Sequence, residues 1–262
     1  MLNFCSLYSG SSGNCLFVES ENTRLLIDAG VSLKKIENGL ESLNIPASSI
    51  DGILVTHEHS DHIQSLGNLS KKFNLPVFAN SQTFDAMPKQ TEKISSENIK
   101  KFNIDEKFSI KDIEINSFSI PHDAANPCGF TLFSGDKKIS IATDIGHMSN
   151  NILKNLEGSE FILLESNYDE NVLKCSKYPF YLKKRIAGPN GHLPNSMAGK
   201  VINYLIHDNL KIAMLGHLSK QSNFPELAYQ TVVDEILSSG TNIDKIQLSV
   251  ASRDNVGKLI HI

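Results

Sequence analysis

The densest cluster of potential metal ligands in the sequence lies at residues 57–62. His57, His59, Asp61 and His62 fall within these six residues, directly after an apolar and β-branched run at 53–56 that is typical of a buried strand. Imidazole nitrogens and a carboxylate at this density suit a divalent metal ion of borderline or hard character. Histidine makes up only 9 of the 262 residues, so a chance cluster in a solvated loop is the weaker interpretation. The pattern therefore predicts a metal site at the end of a buried strand.

Three further potential ligands, His122, Asp144 and His217, each follow an apolar run that predicts a strand. Loops that leave one edge of a sheet can converge in space. Any one of the three would more often be an ordinary hydrogen-bonded loop residue, but together with the first cluster they give seven ligands. Such a set, with no thiolate, is enough for two divalent ions per chain and permits manganese, zinc or iron. Two ions roughly 3.5–4 Å apart would activate a shared water for hydrolysis.

The elements that must position these ligands are short strands with helices between them. Strand-rich halves with interspersed helices predict one sheet packed on another, with the helices outside. Gly135 marks a hairpin turn. The alternation of apolar residues shifts by one position between Ile115 and Phe118, and this change of apolar phase predicts a β-bulge. Asn223 and Glu226 have the spacing of a capping box, which predicts a helix that begins at Asn223.

Composition limits the possible functions. Hydrophobic residues at 40% and charged residues at 21% exclude a disordered or fibrous chain, and a net charge of −4 gives no global basic field. The sequence shows neither an apolar run long enough to span a bilayer nor a secretion signal. The 4 cysteines form no C-x-x-C pair and are expected to be reduced and mostly buried. We therefore expect one α/β domain over residues 1–262, in the cytoplasm and without a membrane partner.

The order H-x-H-x-D-H, then His, Asp and His, resembles the metallo-β-lactamase fold. The resemblance implies an αββα sandwich of two mixed sheets flanked by helices, with two metal ions at its edge. One ion would be held by His57, His59 and His122. The other would be held by Asp61, His62 and His217, with Asp144 bridging the two.

Residues 163–168 and 191–196 resemble the Glu and His motifs of phosphodiesterase members of this fold, such as tRNase Z. The resemblance implies that Glu165 polarises His192, which protonates the leaving oxygen. Asp61 would orient the attacking water in addition to binding metal. The alternative is a strand-end carboxylate at Glu165 and an ordinary turn residue at His192.

The segment that links these two motifs is rich in basic and aromatic residues. Cations can follow phosphates while aromatic rings stack on unpaired bases. An ordinary solvated helix with an aromatic inner face is an equally good interpretation. The residues predicted to contact a substrate are Tyr168, Tyr178, Lys183, Lys184 and Arg185.

Four segments (6–14, 165–169, 179–192 and 217–226) together resemble the YycJ/WalJ family of bacterial metallo-hydrolases. The resemblance implies a 5′-to-3′ exonuclease that acts on DNA and is linked to mismatch repair. Only twenty residues separate Asp144 from Glu165, which leaves no room for the β-CASP domain inserted in RNase J-type enzymes.

Two other functions stay open at this point. The same ligands could serve a hydrolase of small thioesters or lactones, for which the basic segment would be incidental. A non-catalytic, metal-stabilised domain that binds nucleic acid is the second alternative. The residues alone leave the preference for DNA or RNA, the strandedness of the substrate and the oligomeric state open.

Overall fold

Two mixed sheets form the centre of the protein. The computed structural model describes residues 1–206 and 209–262, and each sheet has seven strands within these ranges. In chain order the strands are β1 (Asn3–Tyr8), β2 (Cys15–Glu19), β3 (Arg24–Ile27), β4 (Gly52–Leu54), β5 (Val77–Asn80), β6 (Ile99–Phe102), β7 (Lys107–Ile110), β8 (Ile113–Ser119), β9 (Cys128–Ser134), β10 (Lys137–Ala142), β11 (Phe161–Glu165), β12 (Ile212–Gly216), β13 (Gln247–Val250) and β14 (Ile260–His261). The first sheet has the order β14-β1-β2-β3-β4-β5-β6 and the second the order β13-β12-β11-β10-β9-β8-β7.

The helices lie between these strands in the chain. They are α1 (Leu33–Ser42), α2 (Ser60–Ile63), α3 (Leu66–Phe73), α4 (Ser81–Ala86), α5 (Pro88–Thr91), α6 (Asn150–Leu156), α7 (Glu170–Cys175), α8 (Phe180–Ile186), α9 (Asn195–Leu205) and α10 (Pro225–Ser238). Ser32 caps α1 by accepting a hydrogen bond from the backbone N–H of Lys35.

Three apolar layers hold the sheets and helices together. The layer between the sheets contains side chains of both, and the rings of Phe4 and Phe161 meet there with centroids 4.4 Å apart. A second layer joins the outer face of the first sheet to α1 and α3. A third joins the outer face of the second sheet to α6, α9 and α10. The predicted αββα sandwich is confirmed.

Strand direction brings several chain segments to one edge of the sandwich. Strands β10, β11 and β12 run parallel, and Ala142, Leu164 and Leu215 stand side by side in register. The residues that follow these positions therefore emerge next to one another, because parallel strands end at the same edge. Asp144 and His217 lie in two of these exits.

The bulge predicted between Ile115 and Phe118 is wrong. Strand β8 pairs with β9 in continuous register over its whole contact. The apolar phase changes because both faces of β8 are covered. Ile115 packs between the sheets, whereas Phe118 packs against the outer helices.

The capping box predicted at Asn223 is also wrong, since α10 begins at Pro225 without a side-chain cap. The Asn223 side chain has other partners. Its Nδ2 donates to the carbonyl of Ser166 at 2.9 Å and to Oδ1 of Asn195 at 2.8 Å. Asn223 therefore ties the ends of β11 and α9 together.

The hairpin predicted at Gly135 is confirmed, with φ of +60° at this glycine between β9 and β10. In the described parts of the chain no helix combines the length and apolar character needed to cross a bilayer. Cys5, Cys15 and Cys128 are buried free thiols, and Cys175 is an exposed one.

Candidate metal centre

The predicted ligands meet at the edge of the sandwich where their strands end. Residues 57–62 follow β4 and enter α2, and His122 follows β8. Asp144 follows β10 and His217 follows β12. Within each of four overlapping groups the potential ligand atoms lie within 4.8 Å of one another: His57, His59 and His122; His57, His62 and Asp144; Asp61, His62 and His217; and Asp144, Glu165, His192 and His217.

The first half of the cluster consists of three imidazoles whose nitrogens face one another. Nε2 of His122 lies 3.3 Å from Nδ1 of His59. Nδ1 of His122 lies 3.0 Å from the carbonyl oxygen of Gly191 and must donate a hydrogen bond to it. In the neutral ring, Nε2 then carries the lone pair. Nδ1 of His57 lies 3.0 Å from the Thr56 hydroxyl, so Nε2 faces the cluster. At 3.3 Å, the facing nitrogens of His122 and His59 repel each other unless a proton or a cation lies between them.

The second half combines carboxylates with two imidazoles. Oδ2 of Asp61 lies 3.5 Å from Nε2 of His62 and 3.4 Å from Nε2 of His217. Asp144 lies between the two halves, because its Oδ2 is 3.3 Å from Nε2 of His62 and its Oδ1 is 3.7 Å from Nε2 of His122.

Two atoms of the cluster are buried with unused bonding capacity. Nε2 of His57 has no hydrogen-bond partner among residues 1–206 and 209–262, and within these residues Oδ2 of Asp144, 3.3 Å from Nε2 of His62, has none with hydrogen-bond geometry. A buried polar atom without a partner is rare because it has lost its hydration without replacement. Both atom types are ordinary ligands of divalent ions, so the donor set fits a metal centre.

Electrostatics favour the deprotonated state of most of these groups. Burial raises the pKa of Asp144, but the charges of His217 and His62 hold it well below its usual range. Burial and the charge of His62 hold the pKa of His57 well below its usual value. Burial lowers the pKa of His217, but Asp144 and a hydrogen bond to Asp61 raise it to about 10. A bound cation would take the place of the proton that these carboxylates keep on His217.

Asp28 supports the cluster from behind, a role that the sequence analysis did not assign. It is 2% exposed and has a positive φ of 62°. Its Oδ1 accepts from the backbone N–H of Thr56 at 2.9 Å, and its Oδ2 lies 2.7 Å from Nδ1 of His62. A carboxylate on the far nitrogen of a ligand histidine fixes the ring and its tautomer. In the sequence, Asp28 ends a short apolar run and precedes Gly30, which indicates a strand and a turn but does not reveal the partner of Asp28.

Replacing Asp28 with asparagine is expected to weaken metal binding by about 10–100-fold, because His62 loses its charged acceptor. Calorimetric titration of the metal-free protein with Zn²⁺ or Mn²⁺ measures this. Asp51→Asn is the matched control, since Asp51 pairs with the exposed Lys111. Equal affinity of Asp28→Asn and the wild type would contradict the assignment.

Gly30 lies in the turn after β3 and lets the predicted metal loop, residues 57–62, approach the backbone of this turn closely. Its N–H donates to the carbonyl of Asn14 at 2.7 Å, and the neighbouring Ala29 N–H donates to the carbonyl of His62 at 2.7 Å. A Cβ at Gly30 would lie 1.6 Å from the carbonyl oxygen of Asp61. There is therefore no space for a side chain at this position.

We expect Gly30→Ala to lower the free energy of unfolding by about 3 kcal/mol or more, because the backbone of the metal loop must move. Urea unfolding measures the change. In the control Gly39→Ala, on α1, the nearest atom to the new Cβ is 3.5 Å away, and stability should be unchanged or higher. A Gly30→Ala protein that unfolds at the wild-type urea concentration would show that the loop adapts freely.

Glu165 and His192 lie next to the ligand cluster and contact each other. Oε1 of Glu165 is 2.8 Å from Nδ1 of His192 and also 2.8 Å from Nδ1 of His217. Oε2 accepts from the backbone N–H groups of Ile145 and Leu193. The carboxylate is fully buried, whereas the side chain of His192 is 19% exposed. The contact to His192 was predicted from the sequence, whereas the contact to His217 was not.

The predicted substrate-binding residues differ in their placement. Tyr168 is only 5% exposed and packs with Leu173 and Ile186 under α8, so its ring supports this helix. Tyr178 is half-buried at the same small core. On α8, Lys183 is half-buried and Lys184 and Arg185 are exposed. A substrate contact by any of the five stays a prediction.

Arg185 is connected to the cluster through an acidic side chain. Its guanidinium pairs with Asp123, with Nη2 to Oδ1 at 3.1 Å. Oδ1 of Asp123 is in turn 3.5 Å from Nε2 of His122. The pair therefore joins α8 to the loop that contains one of the predicted ligands.

Comparison with known proteins identifies the family of the chain. The model of the β-lactamase superfamily domain matches residues 23–217. A protein of Bacillus anthracis named exodeoxyribonuclease YycJ is 36% identical over 242 residues, which is 92% of each chain. Exodeoxyribonuclease WalJ of Streptococcus pneumoniae is also 36% identical over 242 residues, 91% of this chain and 90% of its own.

Solved structures show the same fold at low sequence identity. The metallo-β-lactamase fold protein YhfI of Bacillus subtilis superimposes with a TM-score of 0.71 at 16% identity, covering 98% of this chain and 100% of its own. Human tRNase Z, short form, has a TM-score of 0.68 at 15% identity and covers 99% of this chain and 100% of its own. The fold and the near full-length sequence matches agree, and the chain belongs to the β-lactamase superfamily and, within it, to the family of the YycJ and WalJ proteins.

Proposed function

We propose that this chain is a metal-dependent phosphodiesterase that removes nucleotides from the 5′ end of DNA. The main support is the Glu165–His192 pair, which lies in contact with the cluster of metal-type ligands. Hydrolysis of a phosphodiester needs an activated water and a proton for the leaving oxygen, and these two groups match those needs. The names of the YycJ and WalJ relatives support DNA as the substrate.

The ligand set would hold two divalent ions, manganese or zinc with iron as a further option. His57, His59 and His122 would bind one, Asp61, His62 and His217 the other, and Asp144 both. Bound there, the ions supply a deprotonated water near neutral pH and offset negative charge on the phosphoryl oxygens.

Three side chains of the protein then complete the reaction. Asp61, which is partly exposed at 24%, accepts a hydrogen bond from the attacking water and orients it. His192 donates its proton to the leaving 3′ oxygen. Glu165 keeps His192 in place by accepting from its Nδ1, so that Nε2 is the nitrogen that exchanges the proton. The released nucleotide would keep a 5′ phosphate.

We also propose that residues 1–262 act as a single catalytic domain in the cytoplasm. The connection from β10 to β11, residues 143–160, contains α6 and no inserted domain. The side chains of Asp61 and His192 are 24% and 19% exposed, and we propose that a DNA end reaches the cluster on their side.

End-labelled DNA tests the proposal. The purified chain is incubated with single-stranded and duplex DNA labelled at either end, in Mn²⁺, Zn²⁺ or Mg²⁺. A 5′ label should be released at once as a mononucleotide, whereas a 3′ label should stay on progressively shorter strands. Absence of DNA cleavage in every metal, with turnover of small thioesters or lactones, would overturn the proposal in favour of an acyl hydrolase.

A further inference from the structure

Helix α8 presents two large aromatic side chains to solvent. Phe180 is 72% and Tyr181 is 74% exposed. Exposed aromatic groups that lie together commonly mark a binding surface, because their contact with water is unfavourable. Neither residue is needed to hold α8 in place, since Tyr168, Leu173 and Ile186 form the small core beneath it.

A cavity of about 370 Å³ lies beside Phe180. Its apolar walls come from Tyr168, Leu173, Phe180 and Ala187. Three lysines, Lys174, Lys183 and Lys184, stand around it. The carboxylate of Glu170 also reaches the cavity but is held by the hydroxyl of Ser196. The cavity thus has an apolar interior and a cationic rim.

The charge around this cavity is opposite to that of the rest of the protein. Residues 171–192 contain five lysines and arginines and no aspartate or glutamate, in a chain of net charge −4. Nζ of Lys184 lies 4.8 Å from the centre of the Phe180 ring. A flat aromatic group that is attached to an anionic backbone would match both the apolar interior and the lysines around it.

Two contacts join the end of α8 to the candidate metal centre. The carbonyl of Ile186 at the end of α8 accepts from the backbone N–H of His192 at 2.9 Å. Arg185 joins the same end to the loop of His122 through Asp123.

We propose that this cavity binds a nucleobase of single-stranded DNA next to the scissile bond. Phe180 stacks on the base, and Lys183 and Lys184 contact the adjoining phosphates. A paired base of a duplex cannot enter, because its pairing partner and its stacked neighbour hold it in place. The inference rests on the proposed nuclease function and adds a strand preference to it.

Binding in the presence of a chelator tests the inference without any hydrolysis. Fluorescence anisotropy is measured with a labelled single strand and with a blunt duplex of equal length. Phe180→Ala should weaken binding of the single strand by about 10-fold, as expected for the loss of one base–aromatic contact. Duplex binding should stay the same, and Phe180→Trp should restore the affinity for the single strand.

Two further sets of variants separate stacking from general surface effects. Tyr229→Ala removes an aromatic ring of α10 that is 39% exposed, and it should leave single-strand affinity unchanged. Lys183→Gln and Lys184→Gln should each reduce the salt dependence of single-strand binding by about 0.7 in the log–log slope.

The result that would overturn the inference is wild-type affinity of Phe180→Ala for the single strand, or an equal loss for single strand and duplex. Hydrolysis of bis(p-nitrophenyl) phosphate by the wild-type enzyme, which needs no base contact, tests the nuclease proposal separately. If the wild type hydrolyses this ester while Phe180→Ala binds normally, the cavity assignment alone is wrong. If it hydrolyses neither the ester nor DNA in any metal, the proposed function itself is wrong.

Discussion

Replacing His192 with alanine is expected to lower kcat for DNA hydrolysis by about 10²–10⁴-fold, the usual contribution of a positioned general acid. The leaving 3′ oxygen is a poor leaving group unless it is protonated as the P–O bond breaks. His192 is held for this role by Glu165 at 2.8 Å and keeps part of its side chain open to solvent. Metal content should stay at the wild-type level, because the seven predicted ligands are untouched.

A change of leaving group distinguishes proton donation from a structural role. p-Nitrophenolate leaves without protonation, so His192→Ala should retain most of its activity on the p-nitrophenyl ester of thymidine 5′-phosphate. Glu165→Gln should resemble His192→Ala on DNA but also weaken metal binding, since Glu165 contacts His217 as well. An unchanged kcat on DNA, or an equal loss on both substrates, would remove His192 from the acid role.

Removal of metal is expected to have the largest effect of all. Activity on DNA should fall to background after chelation and return on addition of Mn²⁺ or Zn²⁺, because no side chain of the cluster can itself supply a nucleophilic water near neutral pH. Stability should fall too. A metal at about 100 times its Kd stabilises by about 2.7 kcal/mol, which corresponds to about 5–10 °C in Tm for a chain of this size.

Asp144→Asn is the matching substitution, because Asp144 lies between the two halves of the cluster. It should lose the metal-dependent gain in Tm together with the activity. Asp136→Asn is its control, since Asp136 is an exposed residue in the turn at the opposite end of β10. A metal-free protein that keeps hydrolysing DNA, or an Asp144→Asn variant with full metal-dependent stabilisation, would refute the proposed role of the cluster.

The grouping of the predicted ligands could be anticipated because each ligand segment begins within three residues of the end of a strand. An apolar run with a polar residue at its end is a local pattern, and strands that share a sheet edge bring such ends together. His57 and His122 are 65 positions apart, so no local pattern connects them. Their assignment to one metal site came from the resemblance to the fold.

The supporting contacts could not be anticipated in the same way. Asp28 lies 34 residues before His62, and Asn14, whose Nδ2 is 3.2 Å from Nε2 of His62, lies 48 residues before it. Both look like ordinary turn residues in the sequence. The contact of Glu165 with His217 was missed for a similar reason, because one carboxylate oxygen serves two imidazoles that belong to different motifs.

The two wrong local predictions share a physical cause. The apolar phase of β8 changes because both faces of this strand are buried, so alternation no longer identifies the inner face. Asn223 has the type and spacing of a cap, but its amide bonds to Ser166 and Asn195 instead. In both places, tertiary contacts outweigh a preference that is visible in the sequence.

Anomalous diffraction from crystals soaked in Mn²⁺ tests the central claim most directly. We expect two peaks about 3.5–4 Å apart, the usual separation in two-metal sites. One should lie among His57, His59 and His122 and the other among Asp61, His62 and His217, with Asp144 touching both. A single peak, or peaks away from these side chains, would contradict the dinuclear centre on which the proposed hydrolysis depends.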